Sequence, residues 1–294
     1  MSLIIPPVKC QGIKTKLVSK IKDLCKDQNC TRWVEPFMGS GVVAFNILPD
    51  KALLCDTNPH IIAFYLAIKT GDITETVVRN HLVREGTRLR NEGESYYYLV
   101  RERFNKEHSP LDFLFLNRSC FNGVIRFNNK GHFNVPFCRK TERFSQAYIT
   151  KIANQVRTIS SILKIKQFDF ICQDFEKTFS MLEPDDFLYC DPPYIDRHTD
   201  YFNRWSEENE LKLLELLTQT RSNFILSTWA GNEFRKNKYI ASYSAHFNLH
   251  TQSHYYHIGG TLDNRHPIEE ALFLNYVTPE ISNSPRLAQP LLGL

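Results

Sequence analysis

Short apolar runs that stop at a polar or acidic residue recur in the first and last parts of the chain, with helically spaced stretches between them. Trp33–Val34 runs into Glu35, Ala52–Cys55 into Asp56, Phe168–Cys172 into Gln173, and Phe187–Cys190 into Asp191. Phe224–Leu226 and Ala271–Tyr276 follow. Each run is short and apolar on both alternating faces, so each predicts a buried strand. Between them, Ile13–Lys26 carries Leu17, Ile21 and Leu24 on one helical face, and Val42–Leu48 predicts a second helix. Ser206 with Glu207 and Glu208 opens another, with Leu211, Leu214 and Leu217 as its expected buried stripe. Strand, glycine turn and helix across Glu35–Leu48 form the first βα unit of an open α/β sheet.

The middle of the chain breaks this alternation. Helical spacing covers Ile61–Lys69, which Gly71 ends, then Val77–Arg90, Glu94–Phe104 and Phe144–Leu163. Between the last two, Asn129-Lys130-Gly131 sits between alternating apolar flanks and predicts a β-hairpin. From Phe113 to Pro136 asparagines, arginines and phenylalanines interleave with few acids. That mixture suits a nucleic-acid surface, with amides and guanidinium groups for phosphates and base edges and rings for stacking. A polar hairpin capping the domain would also fit the composition. The stretch before Pro267, with Tyr255, Tyr256, His257, Gly259 and Gly260, reads as a loop, and the tail after Thr278 as poorly ordered.

Composition narrows the class. The 294 residues are 42% hydrophobic, enough to bury a sizeable core, and the net charge of +4 permits a nucleic-acid partner without requiring one. Cys10, Cys25, Cys30, Cys55, Cys120, Cys138, Cys172 and Cys190 show no paired CxxC spacing, which argues for reduced thiols against a zinc site or disulfide frame. No signal pattern opens the chain and no apolar run has membrane-spanning length, so a soluble, cytoplasmic protein is expected. A GxxxxGK[ST] phosphate loop is missing, which argues against nucleoside triphosphates.

The candidate chemistry gathers at strand ends. In Leu188-Tyr189-Cys190-Asp191-Pro192-Pro193-Tyr194 neither proline can donate to a sheet ladder, so the strand ends with Asp191 at its carboxyl edge. A carboxylate, a rigid carbonyl-bearing loop and an aromatic face together suit a planar heterocycle bearing an amino group. The same residues would also make an ordinary Asp-Pro turn, and these positions alone do not choose. Gly39-Ser40-Gly41 permits a tight turn near a ligand, and Asp56 at the end of the second strand can accept both hydroxyls of a ribose. Lys9 and Lys14, beside a helix start, could hold an anion or form a solvated basic face.

Taken together, these motifs resemble the α-group, Dam-type DNA adenine-N6 methyltransferases. The resemblance rests on Glu35-Pro36-Phe37-Met38-Gly39-Ser40-Gly41, Asp56, Leu116-Asn117-Arg118, Phe133-Asn134-Val135-Pro136-Phe137 and Asp191-Pro192-Pro193-Tyr194. It extends from about Ile5 to Tyr276. Val8–Lys16 and Leu54–His60 look most like the EcoRV-type modification methyltransferases. The resemblance implies a Rossmann-like α/β sheet using S-adenosylmethionine, with an inserted, mainly helical DNA-recognition domain carrying the hairpin. Residues 1–58 and 165–278 would form the catalytic domain and 59–164 the recognition domain. Asp191, Pro192 and Tyr194 would be catalytic, with Asp191 also at the cofactor. Cys10, Lys14, Glu35, Phe37, Gly39, Gly41, Asp56, Asp174 and Phe175 would surround the rest of it. The family more often has an aromatic residue where Cys10 stands. Lys9, Phe121, Asn122, Arg126 and Asn134 would contact double-stranded DNA, and no metal is implied.

The implied activity is site-specific methylation of adenine N6 after base flipping, at GATATC on the first adenine, within a restriction-modification system whose endonuclease acts on the same site. A GATC-specific orphan enzyme is the alternative. Cytosine-N4, RNA or peptide-glutamine methylation would use a related loop but not these specificity elements. A non-catalytic DNA-binding relative would have lost Asp56 or Asp191, and this chain has both.

Overall fold

The computed structural model describes residues 3–194, 205–231, 237–255 and 267–278. In chain order its elements are α1 (Val18–Cys25), β1 (Arg32–Glu35), α2 (Ala44–Ile47), β2 (Lys51–Asp56), α3 (Pro59–Thr70), α4 (Glu75–Glu92), α5 (Glu94–Glu107), α6 (Pro110–Ser119) and α7 (Gln146–Ile165). The chain continues through β3 (Gln167–Cys172), α8 (Phe175–Ser180), β4 (Asp186–Cys190), α9 (Glu207–Gln219), β5 (Asn223–Gly231), α10 (Ile240–Ser244), β6 (Asn248–Tyr255) and β7 (Pro267–Leu274). The described strands form one sheet in the order β3-β2-β1-β4-β5-β7-β6, in which β7 runs antiparallel to β5 and β6 and the other pairs are parallel. Strand order reverses between β1 and β4. The carboxyl ends of strands at such a switch point leave a crevice for a ligand.

Both faces of the sheet are covered at its centre, which explains why β1, β2 and β4 are nearly continuous buried apolar runs, whereas the edge strand β3 alternates. Alternate residues diverge: Trp33, Leu54, Phe168 and Tyr189 join a core shared with α1 and α3–α7, and Val34, Leu53, Cys55 and Leu188 join one shared with α8–α10. The helices between β2 and β3 therefore share a continuous core with one face of the sheet.

Several expectations are corrected. The first helix begins at Val18, because Leu17 and Val18 turn back onto the Lys14 carbonyl, and the second is a single turn at Ala44–Ile47. α6 and β6 were not anticipated. Phe113, Leu114, Phe115 and Leu116 are all fully buried, so α6 has no polar face to create a helical period. The stripe on α9 is rotated: Leu213 and Leu217 are buried and Leu211 is 53% exposed. Glu210 takes the inward position because Trp205 Nε1 and Tyr243 OH donate to it, at 2.6 and 2.9 Å.

The expected hairpin is reduced to two isolated antiparallel bridges, Cys120 to Phe137 and Phe127 to Phe133. Around the turn the Asn128 N–H donates to the His132 carbonyl at 2.9 Å and the Asn134 N–H to the Arg126 carbonyl at 3.2 Å, so the hairpin is present but short, and side chains pair the backbone groups that face away from it. Asn105 of α5 pairs with both the N–H and the carbonyl of Phe133, and Tyr97 OH donates to the Val135 carbonyl. Of the loop expected up to Pro267, Tyr255 instead ends β6, while Tyr256, His257, Gly259 and Gly260, like the tail after Thr278, lie outside the described residues. Among the described residues no helix is long and apolar enough to cross a membrane.

Candidate active site

A cavity of about 510 Å³ opens at the carboxyl ends of β1, β2 and β4. Of the residues singled out in the sequence, Cys10, Lys14, Glu35, Phe37, Gly39, Asp56, Asp174, Phe175, Asp191, Pro192 and Tyr194 line it. Gly41 does not. Its φ of +70° closes the turn after β1, and a Cβ there would lie 2.7 Å from the Phe45 ring, so the position admits no side chain.

At one end of the cavity Asp56 accepts from the N–H groups of Gly39 and Asn58, at 2.9 and 2.8 Å. These bonds oppose the rise that burial imposes on its pKa. Each oxygen keeps a second lone pair, the arrangement a vicinal diol needs. Asp174 caps α8 through the Lys177 N–H at 2.8 Å. Beside it Phe37, Phe175 and Trp205 form an aromatic wall, with ring centroids 5.2–5.6 Å apart. Trp205 was not anticipated; its contacts with β1 and α8 are visible only once the sheet is assembled.

At the other end, Lys14 is buried and carries the densest electrostatics of the site. Its ammonium lies 3.1 Å from Asp191 Oδ1 and 3.9 Å from Glu270 Oε2, and it donates to the Tyr194 hydroxyl. Tyr194 OH in turn donates to Glu270 Oε2 at 2.8 Å. Burial pushes the Asp191 carboxyl up to about 6; Lys14 pulls it down and the Glu270 charge adds to the rise. Glu270, fully buried on β7, is a second residue that sequence reading missed.

Glu35 is also buried. Trp33 Nε1 donates to it at 2.8 Å, yet burial pushes its carboxyl up to about 8. The native chain thus holds this proton over a range in which the unfolded chain, with an ordinary value of 4.5, has released it. Stability must fall as pH rises from about 4.5 towards 8. Glu35→Gln is expected to raise stability by about 2–4 kcal/mol at pH 8 and by little near pH 4. Thermal unfolding at both pH values checks this, and equal midpoints for wild type and variant at pH 8 would refute it.

The basic and amide residues lie on an adjoining surface. The Lys9 backbone is gripped in both directions by the fully buried Asn117 amide, at 2.9 Å each way. Gly123, at φ +68°, presses against Lys9: a Cβ there would meet Lys9 Cδ at 2.7 Å. Neighbouring Phe121 is 54% exposed, and Asn122 is exposed with φ +54°. Arg126 Nε donates to Asn134 Oδ1 at 2.7 Å, so these two residues form one unit. A second cavity of about 330 Å³ lies beside Lys9, Arg118, Asn122 and Lys151. Ile125 lines the larger cavity, so the surface that carries Arg126 also forms part of its wall.

The chain is 29% identical over 285 residues to the type II methyltransferase M.FokI of Planomicrobium okeanokoites, covering 94% of this chain but only 43% of that protein. It is 32% identical over 212 residues to type II methyltransferase M.MjaIII of Methanocaldococcus jannaschii, covering 64% and 68% of the two chains. To the retron Ec67 DNA adenine methylase of Escherichia coli it is 33% identical over 221 residues, covering 71% of each. Residues 11–258 match the family described as D12 class N6 adenine-specific DNA methyltransferase, a span that contains the cavity walls from Gln11 to Asn209 and the Lys14–Asp191–Tyr194 group. The chain belongs to the D12 class of N6 adenine-specific DNA methyltransferases.

Proposed function

We propose that the protein methylates adenine N6 in duplex DNA, using S-adenosylmethionine. The observation that carries this reading is the single cavity with a ribose-type acceptor, Asp56, at one end and Asp191-Pro192-Pro193-Tyr194 at the other. The cavity fits the cofactor through its donor set. Asp56 would take the ribose, Asp174 and Phe175 the adenine, and Glu35, Phe37 and the Gly39–Gly41 turn would wrap it. Cys10 and Lys14 would close the methionine end, Lys14 with an ammonium already shared among Asp191, Tyr194 and Glu270. When bound, S-adenosylmethionine supplies an electrophilic methyl group.

Adenine N6 is a poor nucleophile because its lone pair is delocalised into the ring, and it is unreachable inside a duplex. The base must leave the stack, at a cost of a few kcal/mol. Asp191 and the Pro192 carbonyl then accept the two N6 hydrogens and draw the lone pair towards the incoming carbon, while Tyr194 stacks on the base. Positioning and fixed acceptors supply the rate. The methylated amine is strongly acidic, and its surplus proton passes to Asp191 or water.

Residues 59–164 serve as the recognition domain and 1–58 with 165–278 as the catalytic domain. The exposed Phe121 ring is suited to wedge into the base stack, with Asn122 holding the backbone. Lys9 reads the guanine that opens the site, and Arg126, oriented by Asn134, reads an inner pair. Following the EcoRV-type resemblance, the site is GATATC, methylated at its first adenine. The protein then acts in the cytoplasm beside an endonuclease of the same specificity.

Tritiated S-adenosylmethionine and plasmids carrying every single-base variant of GATATC test this reading. Wild type is expected to label adenine in GATATC alone. Lys9→Ala should relax the first base pair and Arg126→Ala an inner pair, each by roughly 1–3 kcal/mol of discrimination. Equal loss on all sites would make both residues phosphate contacts. Labelling of GATC whatever its flanks would identify the orphan, Dam-type alternative, and label in cytosine or RNA would overturn the substrate.

A further inference from the structure

Glu270 is a fully buried carboxylate on an antiparallel strand at the far side of the sheet from the glycine turn. Its strand partners at that position are Trp229 on β5 and Gln252 on β6. An acid this deep must be paired, because an isolated buried charge is costly. Two of its partners belong to the reacting end of the cavity: it accepts from Tyr194 OH at 2.8 Å and lies 3.9 Å from the Lys14 ammonium. Tyr194 is therefore held twice at its hydroxyl, as donor to Glu270 and as acceptor from Lys14. Lys14 is likewise shared by two carboxylates, Asp191 and Glu270, so the group Lys14, Asp191, Glu270 carries one more carboxylate than cation.

We propose that Glu270 is the positioning residue of the reaction: it fixes the plane of the Tyr194 ring through the phenol and shares the Lys14 ammonium with Asp191. This rests on the proposed roles of Asp191 and Tyr194. A phenol anchored at one point can swing about its Cβ. One whose hydroxyl bonds both a buried acid and a buried ammonium cannot, and its face stays parallel to an incoming base. The competition for Lys14 leaves Asp191 with a lone pair free to accept an N6 hydrogen. Among the described residues, the other ionisable groups around this acid pair include Glu35 on β1 and Tyr189 and Cys190 on β4, with His250 on β6 lying along the same strand face.

Glu270→Gln and Glu270→Ala separate the two effects, with Asp191→Ala alongside. Gln keeps an acceptor for the phenol and removes the charge; Ala removes both. DNA carrying 2-aminopurine at the target position reports stacking of the extruded base. Expected for Glu270→Ala is a kcat loss of roughly 10- to 100-fold with the cofactor KM changed less than about threefold, and a changed 2-aminopurine signal in the ternary complex. For Glu270→Gln, the 2-aminopurine signal and plateau kcat should stay close to wild type while the acid limb of the kcat profile moves to lower pH, because Asp191 then has Lys14 to itself. Wild-type kcat and signal in Glu270→Ala would overturn the proposal, as would a Gln variant as impaired as Ala. If Glu270→Ala does not fold, the Gln profile decides alone: an unmoved acid limb overturns the proposal. Turnover by Asp191→Ala would instead bring down the reading of the active site itself.

Discussion

Asp191→Ala is expected to lower kcat by roughly 10²–10³-fold or more while cofactor and DNA affinities stay within about tenfold. In the proposed role the carboxylate acts mainly on the charge that develops at N6 during transfer, so its loss would fall on the transition state and spare binding. Its position supports this division. Asp191 directly follows β4 and pairs with Lys14 at 3.1 Å, at the other end of the cavity from Asp56. The acceptor must be ionised. Because burial, against the pull of Lys14, pushes its carboxyl up to about 6, turnover should fall as pH drops through about 6. Lys14→Met, which removes the opposing pull, should move that limb upward. Single-turnover rates from about pH 5 to 8, with titrations of cofactor and DNA, check all three statements. A variant whose affinities fall as far as its turnover would show Asp191 to be a binding residue.

Arg103→Ala is expected to destabilise the protein by roughly 3–5 kcal/mol, lowering its melting temperature by about 5–15 °C. Arg103 of α5 donates twice to Asp112 of α6, at 2.7 and 2.6 Å, and once to Glu85 of α4 at 2.9 Å. Glu85 and Asp112 are each 2% exposed, so removing the guanidinium takes the bidentate partner from buried Asp112 and leaves buried Glu85 with only Arg84 and Tyr96. With His81 these acids could resemble a metal site, but Arg103 already occupies their oxygens. Burial opposes ionisation of Glu85, yet hydrogen bonds from Tyr96, Arg103 and Arg84 hold its carboxyl down at about 2. A depressed pKa contributes stability that is full above the ordinary value of 4.5 and is lost as pH falls through about 2. In Arg103→Ala one of the hydrogen bonds that hold the Glu85 carboxyl down is lost, so the gap to wild type should be wide at neutral pH and narrower near pH 4. Calorimetry at both values checks this, and a small, pH-independent difference would refute it. DNA binding should weaken too, because Asn105, two residues along α5, holds both backbone groups of Phe133.

How much of this could be read from the chain depends on the range over which each residue acts. Strand ends are local. Two prolines after Asp191, and a polar stop after Cys55, set the carboxyl edges of β4 and β2 without reference to the rest of the fold. The central parallel strands were legible as nearly unbroken apolar runs because both faces of the sheet are covered there. Ser206 announced α9 through its own capping box. α6 was not legible: a helix buried all round has no period, and its Asn117 shows its use only against Lys9, far away in sequence. The hairpin expected around Asn129-Lys130-Gly131 closes at its turn but stays short, and side chains of α5 pair the backbone groups on its outer edge, which no local pattern shows.

The sequence by itself determined the alternation of strands and helices, the strand-end acids Asp56 and Asp191, the glycine turn and the family pattern that joins them. These depend on backbone rules spanning a few residues. The tertiary structure alone decided which side chains share the cavity: Trp205 beside Phe37 and Phe175, and Lys14 between Asp191 and Glu270. Glu270 sits in an ordinary strand pattern with no local sign of its role. It becomes part of the site because β7 runs antiparallel beside β5 and brings a buried acid to the hydroxyl of Tyr194, where only a paired charge can be kept out of water.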